Sequence, residues 1–94
     1  MLTGKQRAML KAESHDYKPV INIGKFSVSE DVIKAIDEAL EARELIKIKI
    51  LNNNLDEPDD ILQEILEQVN AEFVNHVGSI LTIYRKNKEN KFQL

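Results

Sequence analysis

The chain has 94 residues, 43% hydrophobic and 31% charged, the composition of a globular domain large enough to bury a modest core without staples. It has no cysteine, which excludes disulfides, thiolate metal sites and cysteine nucleophiles. Its formal net charge of −3 argues against a uniformly basic polyanion binder, but the distribution of charge matters more than the sum.

That distribution is polarised. Lys5, Arg7, Lys11, Lys18 and Lys25 against Glu13 and Asp16 leave +3 in residues 1–25. Arg85, Lys86, Lys88 and Lys91 against Glu89 leave another +3 in residues 85–94. Between them, four basic and thirteen acidic residues leave −9. The opening "MLTGKQRAMLKAESH" has no continuous apolar core, so no secretory signal is expected. No stretch approaches the ~20 apolar residues that span a bilayer. A cytoplasmic chain with no membrane partner, forming one domain over residues 1–94, is the expectation.

The first helix is expected over residues 4–14. Thr3 and Gln6 have capping-box spacing, in which each side chain satisfies a backbone donor of the other. Ala8, Met9 and Ala12 offer a short apolar stripe with Lys5, Arg7 and Lys11 around it. Pro19 then ends any helical tendency, and Val20, Ile21 and Ile23 read as a strand. A second helix opens at Ser29 as N-cap, with Glu30 and Asp31 where the helix dipole favours negative charge. Val32, Ile36, Ala39, Leu40 and Arg43 follow helical spacing along one side.

"LIKIKIL", residues 45–51, is the clearest signal in the chain. Its alternation sets Ile46, Ile48 and Ile50 on one face and Lys47 and Lys49 on the other. "NNNLDEPDD" reads as a turn into a third helix, with Pro58 suited to the first helical position and Asp56 or Glu57 able to cap. That helix runs to about Ala71 and turns Ile61, Leu62, Ile65, Leu66 and Val69 inward. Residues 73–77 and 80–85 form a hairpin closed by Gly78-Ser79, a pair suited to a type II′ turn.

The order α-β-α-β-α-β-β predicts an α/β domain with a small mixed four-stranded sheet. Helices two and three are expected on one face. The other face shows Asn22, Lys47, Lys49, Thr82 and Tyr84, with the first helix over part of it.

Chemistry is harder to find than fold. His15 and His76 sit in no recognisable motif, and no H-E-x-x-H, P-loop or nucleophile elbow is present. Acidic pairs at helix starts are explained by the dipole. Asn52, Asn53, Asn54 and Asp56 lack calcium-loop spacing, so no metal or other cofactor is expected. A non-enzymatic chain is the reading. What remains is "VINIGKFSVSED": Gly24 lets backbone approach a ligand, Lys25 adds charge, and the loop feeds a helix N-terminus that favours anions.

"LTGKQRAMLKAESHDYKPVINIGK", "VIKAIDEALEARELIKIKI" and "VGSILTIYR" together resemble the CRM domain (chloroplast RNA splicing and ribosome maturation), above all its small stand-alone bacterial form, the YhbY-type RNA-binding proteins. The resemblance covers nearly the whole chain and is weakest in "LNNNLDEPDD" and the last eight residues. It implies a compact α/β fold similar to the C-terminal domain of translation initiation factor 3, and RNA binding without catalysis. It further implies ribosomal RNA on a precursor of the large ribosomal subunit as partner.

The family's G-x-x-G loop falls on Gly24, Lys25, Phe26 and Ser27, where Ser27 departs from the pattern. If that position needs positive φ, serine costs about 1–2 kcal/mol against glycine. The expected RNA contacts are therefore the loop Gly24–Ser27, then Lys5, Arg7, Lys11 and Lys18, with Arg85 and Lys86 beyond the last strand. The protein is expected to be a monomer, its acidic helices facing solvent or a ribosomal protein. One rival places the RNA on an open sheet face carrying Lys47, Lys49 and Tyr84. Another makes residues 56–72, with seven acidic residues and no basic one, a module that binds a basic protein.

Overall fold

A computed structural model describes residues 1–24, 28–51 and 57–94. Seven elements follow in order: α1 (Gly4–Glu13), β1 (Ile21–Ile23), α2 (Glu30–Arg43), β2 (Leu45–Ile50), α3 (Pro58–Val69), β3 (Glu72–Val77) and β4 (Ile80–Tyr84). The strands form one sheet in the order β1-β2-β4-β3. β1 runs parallel to β2, and β4 is antiparallel to both β2 and β3. The Cα radius of gyration is 12.5 Å, close to the ~13 Å of a compact 100-residue domain.

Local chemistry explains the helix starts. Thr3 and Gln6 form the capping box, Gln6 N–H donating to Thr3 Oγ1 and Thr3 N–H to Gln6 Oε1. Ser29 Oγ accepts from Val32 N–H and caps α2. Glu57 occupies the N-cap of α3 but makes no side-chain cap bond; Pro58 begins the helix instead. α3 ends at Val69, two residues before the expected Ala71, because Asn70 turns left-handed at φ 55° and halts the helical bonding. Gly78 has φ 58° while Ser79 does not turn positive, so the two-residue hairpin turn follows the expected glycine chemistry.

The two faces of the sheet are covered differently. On one, Ile46, Ile48, Ile50, Leu81 and Ile83 pack with Ile36 and Leu40 of α2 and Ile61, Leu62, Ile65 and Val69 of α3. The other holds a smaller cluster of Leu2, Leu10, Leu45, Val74 and Tyr84, with Phe92 and Leu94 of the C-terminal tail against it.

This second cluster corrects two expectations. The stripe Ala8–Met9–Ala12 faces outward, and Leu10 is the buried residue of α1, because the helix lies against β3 rather than on another helix. Thr82 and Tyr84 are 1% and 2% exposed, so the sheet face is not open there. Leu10 of α1 and Phe92 of the tail close over it, and Tyr84 is unavailable for stacking on a base.

Candidate nucleic-acid interface

The sheet separates charge of opposite sign. α1 carries Lys5, Arg7 and Lys11 against Glu13, a net +2. α2 carries Lys34 and Arg43 against Glu30, Asp31, Asp37, Glu38 and Glu41, and α3 carries Asp59, Asp60, Glu64 and Glu67 with no base. The face covered by α1 therefore meets solvent as the basic one. Lys47 and Lys49 of β2 point to that face too, since they alternate with the buried isoleucines.

Two grooves run along this basic face. One, about 370 Å³, lies between α1 and the strands and is lined by Lys11, His15, Lys47, Asn75 and Thr82 among others. The other, about 450 Å³, lies between the 17–20 segment, the start of β2 and the tail, with Lys18, Arg43, Lys47 and Lys91 on its walls. Lys47 belongs to both, and its Nζ reaches His15 O at 3.4 Å across the chain that divides them. Lys11, Lys47 and Lys18 thus form one basic track.

The backbone fixes this placement. Val20 N–H donates to Lys47 O at 3.0 Å, extending the β1–β2 ladder backwards and holding residues 17–20 beside the start of β2. At the other end of β1, Leu51 N–H donates to Ile23 O at 2.9 Å, which sets Gly24 beside Leu51. Groove and Gly24 therefore stand at opposite ends of β1, roughly 13 Å apart at the rise of a strand.

The expected contact residues separate into three groups. Lys5, Lys11 and Lys18 are exposed on the basic face, and Lys86 is exposed just after β4. Arg7 is tied down, its Nε donating to Phe73 O at 3.3 Å. Gly24 is described, whereas Lys25, Phe26 and Ser27 lie outside the described residues, as do Asn52–Asp56.

Arg85 belongs with none of these. Its Nη1 donates to Asp37 Oδ1 at 2.6 Å and Val69 O at 2.9 Å, and its Nη2 to Asp37 O at 3.0 Å and Glu41 Oε2 at 3.4 Å. Because Tyr84 points to the α1 side, its neighbour Arg85 points to the acidic helices and clamps α2 to the end of α3. Its guanidinium is committed there and is not brought to the basic track.

Residues 2–85 match the CRS1/YhbY (CRM) domain model. The chain belongs to the CRM domain family. Among CRM relatives, "Probable RNA-binding protein YqeI" of Bacillus subtilis is 38% identical over 91 residues, covering 97% of this chain and 95% of the relative. An "RNA-binding protein" of Haemophilus influenzae is 34% identical over 93 residues, covering 99% and 94%. The solution structure of Staphylococcus aureus SAV1595 superposes with a TM-score of 0.84 at 43% identity, covering 98% and 96%. The CRM match accounts for the α1–β1 segment and the sheet, and it stops before the tail.

Sequence reasoning passed over several residues of this face. Arg43 reads as part of a helix stripe, and Lys91 as one charge of the basic stretch 85–94. Neither carries a local signal. They meet Lys18 only because the α2–β2 corner and the tail return to the start of β1.

Proposed function

We propose that this protein binds RNA without catalysing a reaction, as a one-domain monomer in the cytoplasm acting on precursors of the large ribosomal subunit. The observation that carries this reading is the segregation of charge. Lys5, Lys11, Lys18, Lys47 and Lys49 share the α1 face, while the acidic residues of α2 and α3 look the other way. A polyanion is attracted by such a local field whatever the net charge. The names of the relatives support the same reading.

The Gly24–Ser27 loop is the second contact, at the far end of β1, and a short single strand spans the distance between loop and track. Lys86 extends the positive surface. Arg85 is left out of it, since both of its terminal nitrogens are already paired on the acidic side. Contacts of lysines with phosphates position a strand and carry little sequence information, so recognition rests on RNA shape and backbone. The acidic outer face of α2 and α3 is left for a basic ribosomal protein.

Sedimentation of a cell lysate through a sucrose gradient tests the biological half. The protein should travel with large-subunit-sized particles and return to the top after ribonuclease treatment. Migration only with free protein in untreated lysate contradicts the ribosomal role. A nuclease-resistant complex instead points to a protein partner on the acidic face.

A further inference from the structure

The groove between the 17–20 segment and the tail has features that a simple electrostatic track does not need. Besides its cations it has two aromatic side chains on its walls, Tyr17 and Phe92, from segments 75 residues apart. Its volume of about 450 Å³ falls within the ~300–1,000 Å³ of small-molecule sites. Among the described residues, no acidic side chain lines it. Lys18 and Arg43 are exposed, and neither makes an ion pair among the described residues.

Its far wall is built rather than incidental. Lys91 Nζ donates to Ala42 O at 2.7 Å, and Phe92 sets its ring edge-on to Tyr84 at 6.2 Å and 71°. Across the groove, Tyr17 is 36% exposed and its hydroxyl donates to Glu13 Oε1 at 3.3 Å. The ring is thereby steadied at the rim. The tail lies beyond residues 2–85, which match the CRM model.

We propose that this groove holds a single unstacked nucleotide of the bound RNA. Its base lies on the Tyr17 and Phe92 rings, and its phosphate is held among Lys18, Arg43 and Lys47. Rings and cations together distinguish a nucleotide from a bare anion or an acidic peptide, because a base offers a π-face for stacking and its phosphate the charge. The inference rests on the RNA-binding reading and goes further by naming one pocket and the unit it takes.

Fluorescence anisotropy with a 5′-fluorescein, 12-nucleotide single-stranded RNA provides the test. Tyr17→Ala and Phe92→Leu should each weaken binding by about five- to hundredfold, the range for losing one base–aromatic stack, while Tyr17→Phe binds as the wild type does. Phe92→Leu keeps an apolar group against Tyr84, and Tyr17 is exposed enough to replace without unfolding. The double change Lys18→Ala with Arg43→Ala should make the slope of log K against log salt shallower by about 0.7 per phosphate released.

Wild-type affinity in all these variants, with weakened binding by Lys5→Ala and Lys11→Ala, overturns the pocket and leaves the RNA-binding reading standing. Failure of the unaltered protein to bind the oligonucleotide removes both.

Discussion

Glu44 and Lys91, 47 residues apart, are joined by a backbone latch: Glu44 Oε2 accepts the Lys91 N–H at 2.8 Å. Glu44 Oε1 accepts from Asn87 N–H at 3.4 Å, and Glu44 O from Arg85 N–H at 2.8 Å. Glu44 is 0% exposed, a burial that a carboxylate tolerates only when its oxygens are occupied by donors. The residue also turns the corner from α2 to β2 with φ 66°, outside the range most side chains prefer.

Glu44→Ala should therefore cost about 2–3 kcal/mol in urea denaturation, from the missing charge-assisted bonds and stranded N–H donors. It should also free the tail, so that trypsin cuts after Lys88 and Lys91 well before the rest of the fold. Glu44→Gly should recover about 1 kcal/mol of the loss by relieving the positive φ, yet leave the tail equally open to trypsin. An Ala variant as stable and protease-resistant as the wild type would show that the latch does not hold the tail.

Arg85→Ala should lower stability by about 1–2 kcal/mol, a modest figure because Asp37 and Glu41 are themselves largely exposed. RNA affinity should not move. Arg85→Lys should recover little, since one ammonium cannot reproduce the fork that reaches two carboxylates and two carbonyls. Thermal melting and anisotropy, run on the same samples, check both halves.

Tyr84 has its hydroxyl buried with no hydrogen-bond partner among the described residues. Burial pushes its pKa above the ordinary value of 10.0, and the nearby Glu44 and Glu72 carboxylates push it further the same way. The unfolded chain thus gives up this proton first as pH rises. The stability that depends on the protonated phenol is complete below pH 10 and is lost as pH climbs through the folded-state value. Tyr84→Phe should be neutral or stabilising by up to about 1 kcal/mol at pH 7. It should also flatten the alkaline fall of a pH-stability curve. The contribution of Tyr17, whose pKa is likewise raised, first by burial and then by Glu13, remains in that variant.

How much of this was legible beforehand depended on whether a feature is local. The Ser29 cap, the Thr3–Gln6 box, the alternation of 45–51 and the Gly78 turn each involve residues within a few positions, and each appears where the residues placed it. Alternation also divided β4 correctly into Leu81 and Ile83 against Thr82 and Tyr84. It could not reveal that both sides are covered, because Leu10 and Phe92 reach Tyr84 from the two ends of the chain. Arg85 looked like a free cation for the same reason: its partners Asp37 and Glu41 are more than forty positions away. The basic track was half visible. Lys11 and Lys18 stand out in the sequence, whereas the groove that joins Lys18 to Arg43 and Lys91 exists only once the tail has folded back.

Lys25→Glu probes the proposed loop grip at the other end of β1. Binding of single-stranded RNA should weaken, and the salt slope should become shallower by about 0.7 for each phosphate that is no longer neutralised. The pair Lys47→Ala with Lys49→Ala reports on the sheet face independently. Weakened binding there with indifference at Lys25 would place the RNA on the track alone.

The central claim is that RNA lies on the α1 face, and amide chemical-shift mapping by NMR tests it most directly. On titration with a single-stranded oligoribonucleotide, the amides of α1, residues 15–20 and β2 should move while those in the middle of α2 and along α3 stay still. Shifts gathered on α2 and α3, with α1 unmoved, would contradict it.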